Sequence, residues 1–199
     1  MRRVVVVLAL LAMVLPIAAW ADGIDIINRY GSVTVSNSGI VSRNSQLKEF
    51  NGVKASKGHS LGTVNFSTGA LVSGSIASGG VFSDQGSSFT VTGRGKGVPK
   101  GVIFSGAFVG DINWVLTGQG NGLTYTLSGN IEGMLYTGHM VTGSTTQTIY
   151  SDKGQLSQGI GHIRAGTTHL GGTPEPGTLG LLGTGLLGIA GMFRRKRSV

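Results

Sequence analysis

The sequence predicts an all-β protein, an antiparallel meander that closes as a barrel or folds as a two-sheet sandwich. Three observations predict it. Apolar and polar residues alternate with period two through most of the body. Glycine-rich breaks interrupt the alternation every eight to twelve residues or so. No window of the body carries the apolar stripe that a helix would need.

The strands follow in order. Phe89 and Val91 alternate with Ser88, Thr90 and Thr92, and Ile112, Trp114 and Leu116 with Asn113, Val115 and Thr117. Leu123, Tyr125 and Leu127 alternate with Thr124, Thr126 and Ser128. A strand puts i and i+2 on one face, so each run offers one apolar face and one mostly polar face. The hairpin signal is strongest from Gly101 onward, with strands expected over 102–109, 112–117, 123–128, 131–136 and 141–149. Gly79-Gly80, Gly93-Arg94-Gly95, Gly118-Gln119-Gly120-Asn121-Gly122 and Asp152-Lys153-Gly154 supply turn chemistry, because glycine reaches the positive φ of tight hairpins. Residues 22–58 are less regular and read as edge strands or a loop. A stacked solenoid would need a fixed repeat, and the rhyme between Gly74-Ser75-Ile76 and Gly129-Asn130-Ile131 has no constant spacing to support one.

Composition narrows the function classes. Glycine supplies 36 of 199 residues, where about 7% is usual, and charged residues are only 12%. With 40% hydrophobic residues the chain can still bury a core. The net charge of +8 sits mostly at the ends: Arg2 and Arg3 precede the first apolar run, and Arg194, Arg195, Lys196 and Arg197 follow the last. The body between them is only weakly basic, which argues against nucleic acid as a partner. There is no cysteine, so disulfides, thiolate metal sites and cysteine nucleophiles are excluded.

Both ends read as targeting segments. In residues 1–21, Arg2-Arg3 form a positive start, an apolar run extends to Leu15, and Pro16 breaks the helix. Ala19 and Ala21 then place small residues where a signal peptidase cuts, so cleavage after Ala21 leaves Asp22 as the first mature residue. This is the N-terminal signal helix. Residues 22–172 form the glycine-rich β domain, and residues 173–199 a tail. Within that tail, Pro174-Glu175-Pro176 stops any preceding element. The apolar segment 178–193 reads as a short transmembrane helix, loosened by Gly180, Gly183, Gly185, Gly188 and Gly191 and below the ~20 residues of a stable span. The basic cluster Arg194-Arg195-Lys196-Arg197 stays cytoplasmic and stops transfer. Such a span suits transient residence in the inner membrane before proteolysis.

Pro174-Glu175-Pro176, a glycine-rich apolar helix and a terminal Arg/Lys cluster, in that order, resemble the PEP-CTERM sorting signal. The resemblance implies an exosortase-type membrane protease as partner, recognising Pro174 to Pro176 and removing the tail. It also implies a surface or matrix protein of a Gram-negative bacterium that makes exopolysaccharide. Stretches of the body such as Leu61-Gly62-Thr63-Val64-Asn65-Phe66-Ser67-Thr68-Gly69-Ala70-Leu71 are similar to a group of uncharacterised acidobacterial PEP-CTERM proteins, which bring no known chemistry.

Candidate chemistry is sparse. His59, His139, His162 and His169 show no short-range ligand spacing, so no metal or cofactor is expected. Asp111 and Glu132 are the one carboxylate pair to inspect for glycan hydrolysis, although both adjoin glycine, as turn-capping carboxylates do. Gly58-His59-Ser60-Leu61-Gly62 fits a nucleophile elbow, yet the residues after it read as strand where the elbow needs a helix. The glycine string Gly93-Arg94-Gly95-Lys96-Gly97 lacks phosphate-loop spacing and reads as a loop with a basic tip of Arg94, Lys96 and Lys100. Tyr30, Trp114, Tyr125, Tyr136 and Tyr150 could stack on sugars, with Trp114 in step with the core. An outer-membrane barrel is disfavoured because paired aromatic girdles are not visible. The expectation is a non-enzymatic, exported surface or matrix protein with a structural or adhesive role alongside exopolysaccharide. The alternative is a secreted hydrolase, glycan-active through Asp111 and Glu132 or an esterase through Ser60.

Overall fold

Closure is made between strands from opposite ends of the β domain. Strand β1 (Ile24–Arg29) lies antiparallel to β12 (Ile160–Gly172), with Ile24 opposite Leu170 and Asn28 opposite Gly166. The structure, a computed structural model, describes residues 23–119, 122–151 and 159–172. The signal segment, with Ala19 and Ala21, and the tail, with Pro174, Glu175, Pro176 and Arg194 to Arg197, lie outside the described residues, as does Asp152-Lys153-Gly154.

Between the closing strands lie β2 (Ser32–Ser36), β3 (Gly39–Phe50), β4 (Val53–Lys54), β5 (Gly62–Ser67), β6 (Leu71–Ser75) and β7 (Gly79–Phe82). They are followed by β8 (Ser88–Gly93), β9 (Gly101–Gln119), β10 (Leu123–Leu135) and β11 (Met140–Ser151). The ring runs β1-β3-β5-β8-β9-β10-β11-β12 and back to β1, an eight-stranded up-and-down antiparallel barrel. An unbroken ring of pairings makes it a barrel rather than a two-sheet sandwich, and leaves the eight strands no free edge. Strand β2 continues β1 past a kink at Tyr30-Gly31, pairing with β12 on one side and β3 on the other. Strands β6 and β7 form a hairpin that leaves the ring between β5 and β8 and pairs with the second half of β9.

The structure revises several sequence expectations. Residues 22–58 supply ring strands, not edges: β3 pairs with β1 on one side and β5 on the other. The runs 102–109 and 112–117 are one strand, bent at a bulge where Gly110 has φ +75° and its N–H donates to Asp84 Oδ2 at 2.7 Å. Likewise 123–128 and 131–136 merge into β10. Gly79-Gly80 begin β7, and the turn lies one step earlier, over residues 76–78. Asn51-Gly52, both at positive φ, make the tight turn between β3 and β4.

Alternation sorts the side chains into a dry interior and a wet exterior. On β10 and β11, Tyr125, Leu127, Ile131, Val141 and Ile149 are buried inside. Thr124, Thr126, Ser128, Asn130, Thr142, Ser144, Thr146 and Thr148 face outward between them. A lipid-embedded barrel needs the opposite polarity, an apolar outer band around a polar lumen. Inside, Phe89 packs edge-on against Phe104 and Phe108 and stacks with Phe66. Trp114 and Tyr125 stack with ring centres 4.6 Å apart and planes nearly parallel. Both reach the hairpin turn: Trp114 Nε1–H donates to the Ile76 carbonyl at 2.8 Å, and the Tyr125 hydroxyl to that of Ala77 at 3.0 Å.

Candidate functional site

The residues that suggested hydrolysis are held by strands and turns. Glu132 points outward from β10 opposite Ala107, and Asp111 lies further along β9, just past the Gly110 bulge. Both are exposed on the outer wall. Ser60 lies on an exposed segment between β4 and β5, and the next element is a strand, so the sharp strand-to-helix turn of a nucleophile elbow is not formed there. Among the described residues no hydrogen bond joins Ser60 to a histidine. The His59 carbonyl accepts from Lys48 Nζ at 2.6 Å, and His169 Nδ1 meets Asp25 Oδ1 at 2.5 Å across the β1–β12 seam. His139 and His162 are exposed, and no metal-ligating cluster is found among the described residues. The basic tip is a loop as expected, pinned where the N–H groups of Arg94 and Gly95 both donate to the Leu61 carbonyl.

What the fold does bring together is an open groove on the outer wall, lined by Tyr30, Tyr150, His162, Ile163 and Arg164. Strand β11 presents Tyr150, β12 presents His162 and Arg164, and the kink between β1 and β2 presents Tyr30. The kink is stitched to β12: the Tyr30 N–H donates to the Ile163 carbonyl at 2.7 Å, and the Ile163 N–H to that of Gly31 at 3.3 Å. Beneath it, Ile163 is buried in the core and fixes the groove floor.

Each ring has a cation beside it. The Arg164 guanidinium lies over Tyr150 at 5.6 Å from the ring centre, and Lys48 Nζ over Tyr30 at 5.2 Å. Among the described residues no carboxylate lines the groove. The two ion pairs found among the described residues, Lys54–Glu49 and His169–Asp25, involve neither Arg164 nor Lys48.

Tyr30 sits there under strain. Its φ is +64°, and it is 56% exposed. The other non-glycine residues at positive φ, Asn44 and Asn51, are of the type that tolerates it, whereas a tyrosine there costs on the order of 1–3 kcal/mol.

The sequence singles out Tyr30 and Tyr150 as rings able to stack on sugars without joining them. Trp114 and Tyr125, from the same set, are core residues, and Tyr136 is exposed outside the groove lining. Arg164 and Lys48 were missed, since an isolated cation in a strand carries no signal of what lies across the seam.

No curated protein and no solved structure matches the chain. One family does match, the PEP-CTERM protein-sorting motif, over residues 173–196, the stretch that holds Pro174-Glu175-Pro176, the apolar run and Arg194 to Lys196. The chain therefore carries the PEP-CTERM sorting signal, which implies an exported protein sent through the membrane to the cell surface and processed by an exosortase.

Proposed function

We propose that the barrel is the mature, non-enzymatic body of a cell-surface or extracellular-matrix protein, with a structural or adhesive role alongside exopolysaccharide. In this reading a signal peptidase cuts after Ala21. The segment 178–193 holds the chain in the inner membrane with Arg194 to Arg197 on the cytoplasmic side. An exosortase acting at Pro174-Glu175-Pro176 then releases residues 22–172 from the tail. The observation that carries the reading is the sorting motif at 173–196 on a domain whose outer wall is rich in threonine and serine along β10 and β11. Hydroxyl-rich walls make many weak hydrogen bonds to hydrated polymers, and this one surrounds a core that needs no disulfide.

The test is genetic and biochemical. In a deletion strain the reading expects a biofilm matrix that is thinner or more easily washed away, restored by the intact gene. It also expects the mature protein to co-purify with matrix polysaccharide. A normal matrix together with no glycan retention would overturn it.

A further inference from the structure

We infer that the Tyr30–Tyr150 groove is a binding site for an anionic polysaccharide, a polymer of acidic sugars such as uronates. The inference rests on the proposed role at the matrix and names the ligand class and the residues that hold it.

Three independent features of the groove point to this ligand. First, its chemistry is mixed in the way that acidic sugars require. The apolar faces of pyranose rings pack on aromatic rings, and their carboxylates pair with guanidinium or ammonium groups, with arginine gripping a carboxylate bidentately. Tyr30, Tyr150, His162 and Arg164 line the groove and supply both kinds of group, and Lys48 lies against Tyr30 outside the lining. Second, among the described residues no carboxylate lines the groove and neither Arg164 nor Lys48 joins an ion pair, while Lys48 Nζ also donates to the His59 carbonyl. Third, Tyr30 is held at a φ of +64° that glycine or asparagine would adopt without strain, and its ring is exposed. Residues held at such angles cluster at ligand clamps and active sites, and this one is exposed at the groove.

Geometry favours a chain over a single sugar. The aromatic and cationic groups cross four neighbouring strands, β11, β12, β1/β2 and β3. At about 4.8 Å per strand the strip extends roughly 14 Å, enough for a short run of linked rings lying across the strands. The groove is open, so a polymer can enter and leave along it without an end. Single-stranded nucleic acid would use the same chemistry, but it relies on successive stacked bases and a long basic track. Here two rings are present, each with a cation already placed beside it.

The experiment uses the full chain in mild detergent. Binding is measured to immobilised alginate as the polyuronate, to dextran as a neutral polysaccharide, and to oligo-dT. Alginate should bind, more weakly as salt is raised, while dextran and oligo-dT are retained at least tenfold less well. Tyr30→Gly and Arg164→Gln should each weaken alginate binding about tenfold or more. Arg94→Gln, on a loop tip outside the groove lining, should leave it within twofold. Because glycine relieves the positive φ, Tyr30→Gly should melt at or above the wild-type temperature, which separates lost binding from lost folding. Tyr30→Asn serves the same purpose. Failure of wild type to hold alginate, equal retention of dextran, preference for oligo-dT, or full affinity in Tyr30→Gly and Arg164→Gln would each overturn the inference. A protein that co-purifies with the matrix but ignores alginate defeats this inference alone. One that is exported and cut yet never meets the matrix defeats the reading beneath it.

Discussion

The side-chain amides of Asn28 and Gln147, 119 residues apart in the chain, exchange two hydrogen bonds inside the barrel, at 2.9 and 3.3 Å. They meet across β12, whose Gly166 lies opposite Asn28. A Cβ on Gly166 would collide with Gln147 Oε1 and with both amide atoms of Asn28. The pair extends into a network: Asn28 also donates to Ser45 Oγ, and Gln147 to Thr145 Oγ1, which bonds to Thr168 Oγ1. Buried amides satisfied only in one register penalise every slip of β1, β11 and β12 against one another. The network therefore specifies closure between strands from opposite ends of the domain.

Asn28→Ala is expected to lower stability by about 2–3 kcal/mol, since it strands the buried Gln147 carbonyl oxygen. Asn28→Leu with Gln147→Leu should recover much of that loss, because neither partner is then left unsatisfied. Urea denaturation of the two singles and the double checks it. Additive losses would show that the amides do not act as a pair.

Gly166→Ala should cost about 1–3 kcal/mol through overpacking. Much of that cost should vanish in an Asn28→Ala, Gln147→Ala background, where both obstructing side chains are gone. An unchanged cost in that background would place the collision elsewhere.

Ser42→Ala should stabilise the barrel by about 1 kcal/mol. The Ser42 hydroxyl oxygen is buried without a hydrogen-bond partner, so its removal relieves a desolvation cost at almost constant volume. A shift of the urea midpoint upward with an unchanged slope is the expected result.

Trp114→Phe keeps a ring against Tyr125 but deletes the Nε1–H bond to Ile76. The β6–β7 hairpin should open locally more often, by about fivefold for a loss of about 1 kcal/mol. Faster hydrogen exchange confined to residues 71–82 is the readout. Exchange that rises equally around the whole ring would mean that the hairpin is not a separable unit.

Much of the fold is legible because one face of most strands is dry. The alternation through 112–127 survives in the structure, with Ile112, Trp114, Tyr125 and Leu127 inside. Residues 22–58 misled for a physical reason. Asn28, Ser42 and Ser45 occupy inward positions that the sequence leads one to fill with apolar residues, so the period-two signal is broken where the polar network sits. Gly110 and Gly129 read as strand ends because glycine usually punctuates, yet the β10–β11 ladder runs through Gly129, and β9 continues past a bulge at Gly110 between its pairings with β10. The groove was illegible, because barrel closure alone places Tyr30 beside Arg164.

The central claim is that this barrel is exported and cut free of its tail, and the most direct test is the intact mass of the protein from an exosortase-bearing host. The account predicts a species in the cell-surface and medium fractions that begins at Asp22 and lacks everything beyond the Pro174–Pro176 region. A species that retains Arg194 to Arg197 would contradict it and make the tail a lasting membrane anchor.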